Sequence, residues 1–185
     1  MSKQSKLTKS YSGIFGNQFR IRNKGANTIV TIVPKKPKIA PTPKQVAVRE
    51  RLKIASRYAQ TARSQPALFA EYAARANKKR SAFHQAMYDF LHPPFINKID
   101  ASGYHGNPGD KVKVTAGDDF KLESVSLKLS GPDGCIIEEG PCALNNQTMS
   151  YEYNATVRVS NLTGVTICAS ARDLPGNLTQ HSILL

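Results

Sequence analysis

Short strand-like runs and strong turn signals alternate through the second half of the sequence. The runs are rich in β-branched and aromatic residues, and Gly, Pro, Asn and Asp gather between them, as at 107–110 and 131–134. Seven such runs occur, at 95–99, 111–115, 122–129, 134–138, 149–159, 165–170 and 178–185. Seven short strands within about ninety residues predict an immunoglobulin-like β-sandwich, because each strand can bury one face against a second sheet.

The middle of the chain follows the period of an α-helix instead. Residues 42–45, Thr-Pro-Lys-Gln, form a helix start with a capping hydroxyl, a proline at the first helical position and a capping-box amide. Pro66 and Ser81 open two further helices, predicted at 67–78 and 82–91. In the first helix, apolar residues recur every three or four positions and predict one buried stripe: Val48, Leu52, Ala55, Ala59 and Ala62.

A β-hairpin is predicted near the N-terminus, after a turn-rich entry at 12–17. Its strands are 18–22 and 28–33, and Arg20 and Arg22 would share one face. Three prolines and three lysines then predict an extended cationic strap. The chain is therefore predicted to be α+β with two modules: a β-hairpin plus a three-helix region, then the sandwich. The predicted bounds are 1–41 for the basic arm, hairpin and strap, 42–94 for the helical region and 95–185 for the sandwich.

Charge divides the chain near residue 99. Residues 1–99 hold 20 Lys and Arg against 3 acids, a net of +17, and residues 100–185 hold 6 Lys and Arg against 10 acids, a net of −4. The two values sum to the +13 of the whole chain. A basic half joined to a mildly acidic half indicates modules with different partners. We expect nucleic acid or a large macromolecular assembly at the basic half and a protein partner at the acidic sandwich.

The candidate binding residues are the cations of the hairpin, the strap and one side of the first helix. Spacing by four places the three helix cations on one side, away from the apolar stripe. At a nucleic-acid interface these cations would bind phosphates with little base readout. An ordinary solvated face is the alternative interpretation of the same residues. The set is Arg20, Arg22, Lys35, Lys36, Lys38, Arg49, Lys53 and Arg57.

Two functions remain open for such a chain. The first is a non-enzymatic binding protein that contacts nucleic acid through its basic half, alone or within a nucleoprotein particle. The second is a structural or assembly subunit of a phage particle or secretion-type complex, whose basic arm laces into protein neighbours. An enzyme is disfavoured, because the sequence has no Gly-rich phosphate loop, metal-spaced ligand set or nucleophile motif. We expect neither a cofactor nor a metal.

Four aspartates fall in predicted loops of the sandwich. Some of them could converge at one end and bind Ca²⁺ through oxygen ligands. The favoured interpretation is local, with each carboxylate accepting hydrogen bonds from the backbone of its own turn. These residues are Asp110, Asp118, Asp119 and Asp173.

The cysteines and the hydropathy of the chain bound its location. The chain has an odd number of cysteines, and none of them has zinc-binding spacing, so reduced thiols are predicted for Cys135, Cys142 and Cys168. No apolar run reaches the length of a membrane span, and the N-terminus lacks the apolar region of a secretory signal. The expected location is the cytoplasm, or a particle assembled there, with no membrane partner.

Several segments carry a resemblance to known proteins. DASGY at 100–104, AGDDF at 116–120 and ARDLPGN at 171–177 resemble motifs of bacterial immunoglobulin-like modules. Over nearly its full length the chain also resembles a functionally uncharacterised bacterial protein type, through SGIFGN at 12–17, the Lys-Pro strap, the helix start with Arg49 and the Pro-Pro lead into the sandwich. The resemblance implies the two-module architecture and brings no activity with it.

Overall fold

The computed structural model describes residues 12–24, 27–35 and 39–185. Its described residues form three α-helices and eleven β-strands in three antiparallel sheets, which confirms the predicted α+β class. The chain divides into two compact units, Met1–Pro43 and Lys44–Leu185.

The first unit contains a three-stranded sheet in the order β1 (Gly13–Phe15), β2 (Phe19–Lys24) and β3 (Asn27–Ile32). The predicted hairpin is confirmed as β2 and β3. The turn-rich entry contributes a further strand, β1, which the sequence did not predict. Gly16 and Asn17 have φ angles of 53° and 55°, and this left-handed pair makes the tight turn that folds β1 back onto β2.

Three helices precede the sandwich: α1 (Pro43–Arg63), α2 (Pro66–Ala74) and α3 (Ala82–Leu91). The starts of α1 and α3 are confirmed, and the Ser81 hydroxyl caps α3 by accepting the His84 N–H. The predicted end of α2 at residue 78 is wrong. The Asn77 side chain accepts the N–H groups of Lys79 and Arg80 instead, which closes a turn in place of another helical turn.

The predicted buried stripe of α1 is right only for its second half. Ala55, Ala59 and Ala62 are buried, whereas Val48 is 59% exposed and Leu52 is 43% exposed. The reason lies in the length of the helix, because its packing partners meet only the C-terminal part. Ala59 and Ala62 belong to a cluster with Tyr72 of α2, Ala86 of α3 and Phe120 of the sandwich.

The sandwich consists of two four-stranded sheets, in the orders β4-β5-β9-β8 and β11-β10-β6-β7. With the strands taken as A to G and C′ in chain order, these are the A-B-E-D and G-F-C-C′ sheets of an immunoglobulin-like fold, which confirms the prediction. The strands are β4 (Phe95–Asp100), β5 (Lys111–Gly117), β6 (Leu122–Ser130), β7 (Ile136–Pro141), β8 (Ala143–Asn145), β9 (Ser150–Asn154), β10 (Thr166–Asp173) and β11 (Leu178–Leu184).

Two strand predictions differ from the structure. The short strand β8 was not predicted, and the predicted run 149–159 ends as a strand at Asn154. Beyond that point the N–H groups of Thr156 and Val157 bind the Glu138 carboxylate rather than a neighbouring strand. The backbone is therefore satisfied without a sheet.

The core of the sandwich is built from alternate residues of the central strands. Val112 and Val114 of β5 face Val125, Leu127 and Leu129 of β6, together with Ile167 and Ala169 of β10. This alternation is the period-two pattern that predicted the strands. The helices pack at one end of this sandwich through the cluster that contains Phe120, so both belong to the second unit.

Candidate functional site

Two candidate cations of the first unit, Arg20 and Arg22, lie on one face of its sheet. Arg20 pairs across the strands with Ile14 and Thr31, and Arg22 pairs with Ile29. Because residues two apart in a strand share a face, Arg20 and Arg22 point to the same side, as predicted. Arg22 is exposed and Arg20 is half-buried. Lys35 is exposed just beyond β3, and Lys36 and Lys38 lie outside the described residues.

The opposite face of this sheet is apolar. Phe15, Phe19 and Ile32 form one cross-strand row, and Ile21 and Val30 belong to the next row. The exposed fractions are 45% for Phe15, 48% for Phe19, 55% for Val30 and 78% for Ile32. Apolar side chains are exposed on the arginine face as well, where Ile14 is 51% and Ile29 is 43% exposed, but the larger apolar surface is that of the opposite face.

Helix α1 carries the second group of candidate residues. Arg49, Lys53 and Arg57 are all exposed on the side away from the buried alanines. The Lys53 ammonium lies 4.0 Å from the Glu50 carboxylate, and within the described part of the chain neither Arg49 nor Arg57 forms an ion pair. Arg51 differs from them, because its guanidinium donates to the backbone oxygen of Leu91 at 2.7 Å.

The structure places five of the predicted residues in two sets. Arg20 and Arg22 lie on the sheet of the first unit, and Arg49, Lys53 and Arg57 lie along α1. Their union into one continuous basic surface stays a prediction, because the sheet and most of α1 belong to different units.

A second, acidic constellation lies within the second unit and contains a residue that sequence reasoning missed. One carboxylate oxygen each of Asp89, Asp118 and Asp173 lies within 4.8 Å of the other two. Asp89 comes from α3, Asp118 from the β5–β6 connection and Asp173 from the end of β10. Asp118 and Asp173 were among the four predicted loop aspartates. The sequence signal for Asp89 is that it is the single acidic residue of α3.

Burial dominates the chemistry of Asp89. The residue is 0% exposed, and this loss of solvation raises the pKa of its carboxyl to about 7. The Tyr72 hydroxyl, which donates to Asp89 Oδ2, lowers the pKa, whereas the charges of Asp118 and Asp173 raise it further. Tyr58 extends the chain of contacts to α1, with its hydroxyl 2.8 Å from that of Tyr72. The cluster therefore joins all three helices to the sandwich.

The local interpretation of the loop aspartates is confirmed for Asp110, Asp118 and Asp173, which all accept backbone N–H groups of their own turns. The Oδ2 of Asp110 accepts the N–H groups of His105 and Asn107, both at 2.8 Å, and these bonds lower the pKa of Asp110. Asp119 is exposed. All three cysteines are free, as predicted, and burial raises the pKa of the Cys142 thiol to about 12. Within the described residues, none of the helices is long and apolar enough to span a membrane.

Comparison of the sequence with protein-family models and with curated proteins found no match.

Proposed function

We propose that the protein is a non-enzymatic binding protein that contacts the phosphate backbone of nucleic acid through its basic N-terminal half, with little sequence readout. The observation that carries the proposal is the row formed by Arg49, Lys53 and Arg57. These cations are exposed on a helix with a single acid, Glu50, so most of their charge is available to a polyanion. Helix cations that approach phosphates position a protein on nucleic acid without reading bases.

The sheet of the first unit supports the same proposal. Arg20 and Arg22 project from one face at the spacing of alternate strand residues, and Lys35 follows at the end of β3. A basic sheet face of this kind can lie along a phosphate backbone. The cytoplasm, or a particle assembled there, is the location that goes with this function.

Fluorescence anisotropy with labelled duplex DNA and RNA tests the proposal. Between about 50 mM and 200 mM salt, affinity should fall steeply, because each duplex phosphate that a cation neutralises releases counterions and contributes about −0.9 to the slope of log K against log salt. The triple variant Arg49→Ala, Lys53→Ala, Arg57→Ala should bind more weakly and with a shallower slope.

The control removes three exposed cations of the acidic half. Lys113→Ala, Arg158→Ala, Arg172→Ala changes the net charge equally and should keep the wild-type slope. An affinity independent of salt, or an equal loss in both triple variants, would exclude the proposed interface.

The uncovered apolar face of the first sheet favours a second candidate, a structural subunit whose arm packs against protein neighbours in a phage particle or secretion-type complex. A three-stranded sheet normally requires a packed hydrophobic face for its stability. Four large apolar side chains of this face are between 45% and 78% exposed: Phe15, Phe19, Val30 and Ile32. Exposed apolar patches of this kind are typical of protein–protein interaction sites. Light scattering on the purified chain separates the candidates: a defined nucleic-acid-free oligomer favours assembly, and a monomer that retains nucleic acid favours the first proposal.

A further inference from the structure

The carboxylates of Asp89, Asp118 and Asp173 leave buried oxygens without partners. Asp89 is 0% exposed, and its Oδ1 has no hydrogen-bond donor within the described chain. Asp118 Oδ1 is also buried and has no hydrogen-bond donor within the described chain. Buried oxygens of this kind are costly unless a donor or a cation meets them.

The remaining oxygens are oriented by the chain itself. Asp118 Oδ2 accepts the N–H groups of Phe120 and Lys121, both at 2.8 Å. Asp173 accepts from the Asn177 backbone at 2.6 Å and from the Asn177 amide at 2.7 Å. Such outer contacts fix the orientation of carboxylates in metal sites.

No protein cation neutralises these carboxylates in the described residues. The nearby Lys121 pairs with Glu71 at 3.0 Å. Arg75 donates to the backbone oxygen of Asp119 at 3.1 Å and lies over the Phe120 ring. Three acidic groups are therefore brought together in a largely buried place without a basic side chain. Either a proton or a bound cation must compensate their charge.

The donor set selects the kind of cation. All three groups offer carboxylate oxygens, which hard cations prefer over transition metals. Calcium tolerates irregular sets of carboxylate oxygens at about 2.3–2.6 Å, whereas magnesium requires a near-octahedral shell and usually retains several waters. The three oxygens lie within 4.8 Å of one another, close enough for one calcium ion to contact all three.

We propose that Asp89, Asp118 and Asp173 form a binding site for one calcium ion, which fastens the helical region to the end of the sandwich. The ion would meet the unpaired oxygens of Asp89 and Asp118 and complete its shell with Asp173 and water. Through Asp89 and Tyr72, the site also reaches Tyr58 of α1. Calcium would thus stabilise the position of α1 against α2 and α3.

Thermal unfolding of the full chain at neutral pH tests the site, with the protein first stripped by a chelator. Because only the folded chain assembles the three carboxylates, the Tm should rise with calcium and continue to rise with the logarithm of its concentration. Magnesium should give a smaller rise. Calorimetric titration should give one calcium ion per chain.

Two variants locate the effect. Asp118→Asn keeps an oxygen for the Phe120 and Lys121 N–H groups but removes a charge from the cluster, so its Tm should no longer respond to calcium. Asp133→Asn is the matched control, because Asp133 also caps a turn by accepting the Cys135 N–H and lies outside the cluster. It should respond as the wild type does.

Terbium luminescence gives a readout that does not depend on variant folding. The chain has no Trp, and Tyr72 touches Asp89, so terbium bound in the cluster should emit on tyrosine excitation and be displaced by calcium. A wild-type Tm unchanged by calcium would mean that a proton shared between the carboxyls compensates the cluster, and would overturn the proposal. An undiminished calcium response in Asp118→Asn would also overturn it, by placing the ion elsewhere.

Discussion

A single buried carboxylate, that of Glu138, holds the loop that follows β9. Its Oε2 accepts the backbone N–H groups of Thr156 at 2.8 Å and Val157 at 3.2 Å. The hydroxyls of Thr156 and Tyr153 donate to the same oxygen at 2.7 Å and 3.2 Å. Glu138 is 8% exposed, so water cannot easily replace it. Three donors in this loop and the Tyr153 hydroxyl of β9 therefore depend on one side chain.

Replacement of Glu138 by alanine should lower the free energy of unfolding by about 2–4 kcal/mol, because several buried donors lose their acceptor. Urea denaturation followed by circular dichroism measures the change. The matched control is Glu139→Ala, which removes the same charge from an exposed neighbour in β7 and should stay within about 0.5 kcal/mol of the wild type. Equal losses in the two variants would show that the loop does not depend on the buried carboxylate.

At this scale the sequence predicted side-chain positions better than side-chain partners. Strand period placed Arg20 and Arg22 on one face, since that relation is local. Glu138 and Asp89 gain their roles from residues far along the chain, 18 positions away for Thr156 and 17 for Tyr72. Nothing in local spacing distinguishes them from exposed acids.

Helix α1 is the element whose two halves differ most. Its C-terminal half is buried through alanines, which permit close approach of α2 and α3, whereas Val46, Val48, Leu52 and Ile54 are 43–59% exposed. Hydrophobic period identified the side of the helix that can be buried, but it cannot tell how far a neighbour extends along it. The exposed first half also carries Arg49 and Lys53, so it is the part of α1 free to meet a partner.

The different packing of these halves can be tested with one type of substitution. Ala59→Leu inserts a larger side chain where the residue is 0% exposed, and overpacking should cost about 1–3 kcal/mol of unfolding free energy. Ala47→Leu makes the same change at an exposed position of the same helix and should stay within about 0.5 kcal/mol. A tolerated leucine at 59 would contradict the close packing of α1 on α2 and α3. Chemical denaturation of both variants provides the measurement.

The strands show the same limit of sequence information. Runs with clear alternation, such as 122–129, became strands close to their predicted bounds. The three-residue β8 carries too few residues to show a period, and β1 became a strand only because Gly16 and Asn17 turn the chain sharply. Pairing with a neighbour, rather than propensity, decided both cases.

In the molecule as a whole, the hydrophobic core lies in the second unit, whereas the positive charge lies mostly before residue 99. Every member of the two hydrophobic clusters lies between Tyr58 and Leu185. The sheet of the first unit contributes none of them, and most of its large apolar side chains are exposed. Because the basic and acidic halves meet near residue 99, the helical region contributes both to the folded core and to the basic surface.

Removal of residues 1–43 should therefore leave the rest of the chain folded. The Tm of 44–185 should lie within about 3 °C of the full chain, since neither hydrophobic cluster loses a residue. Its nucleic-acid affinity should fall while the dependence on Arg49, Lys53 and Arg57 persists, because these residues remain on α1. A Tm lowered by more than about 10 °C would mean that the first unit is part of the core. If the full chain forms an oligomer and 44–185 is monomeric, the first unit makes the contact, and assembly becomes the better account of the arm.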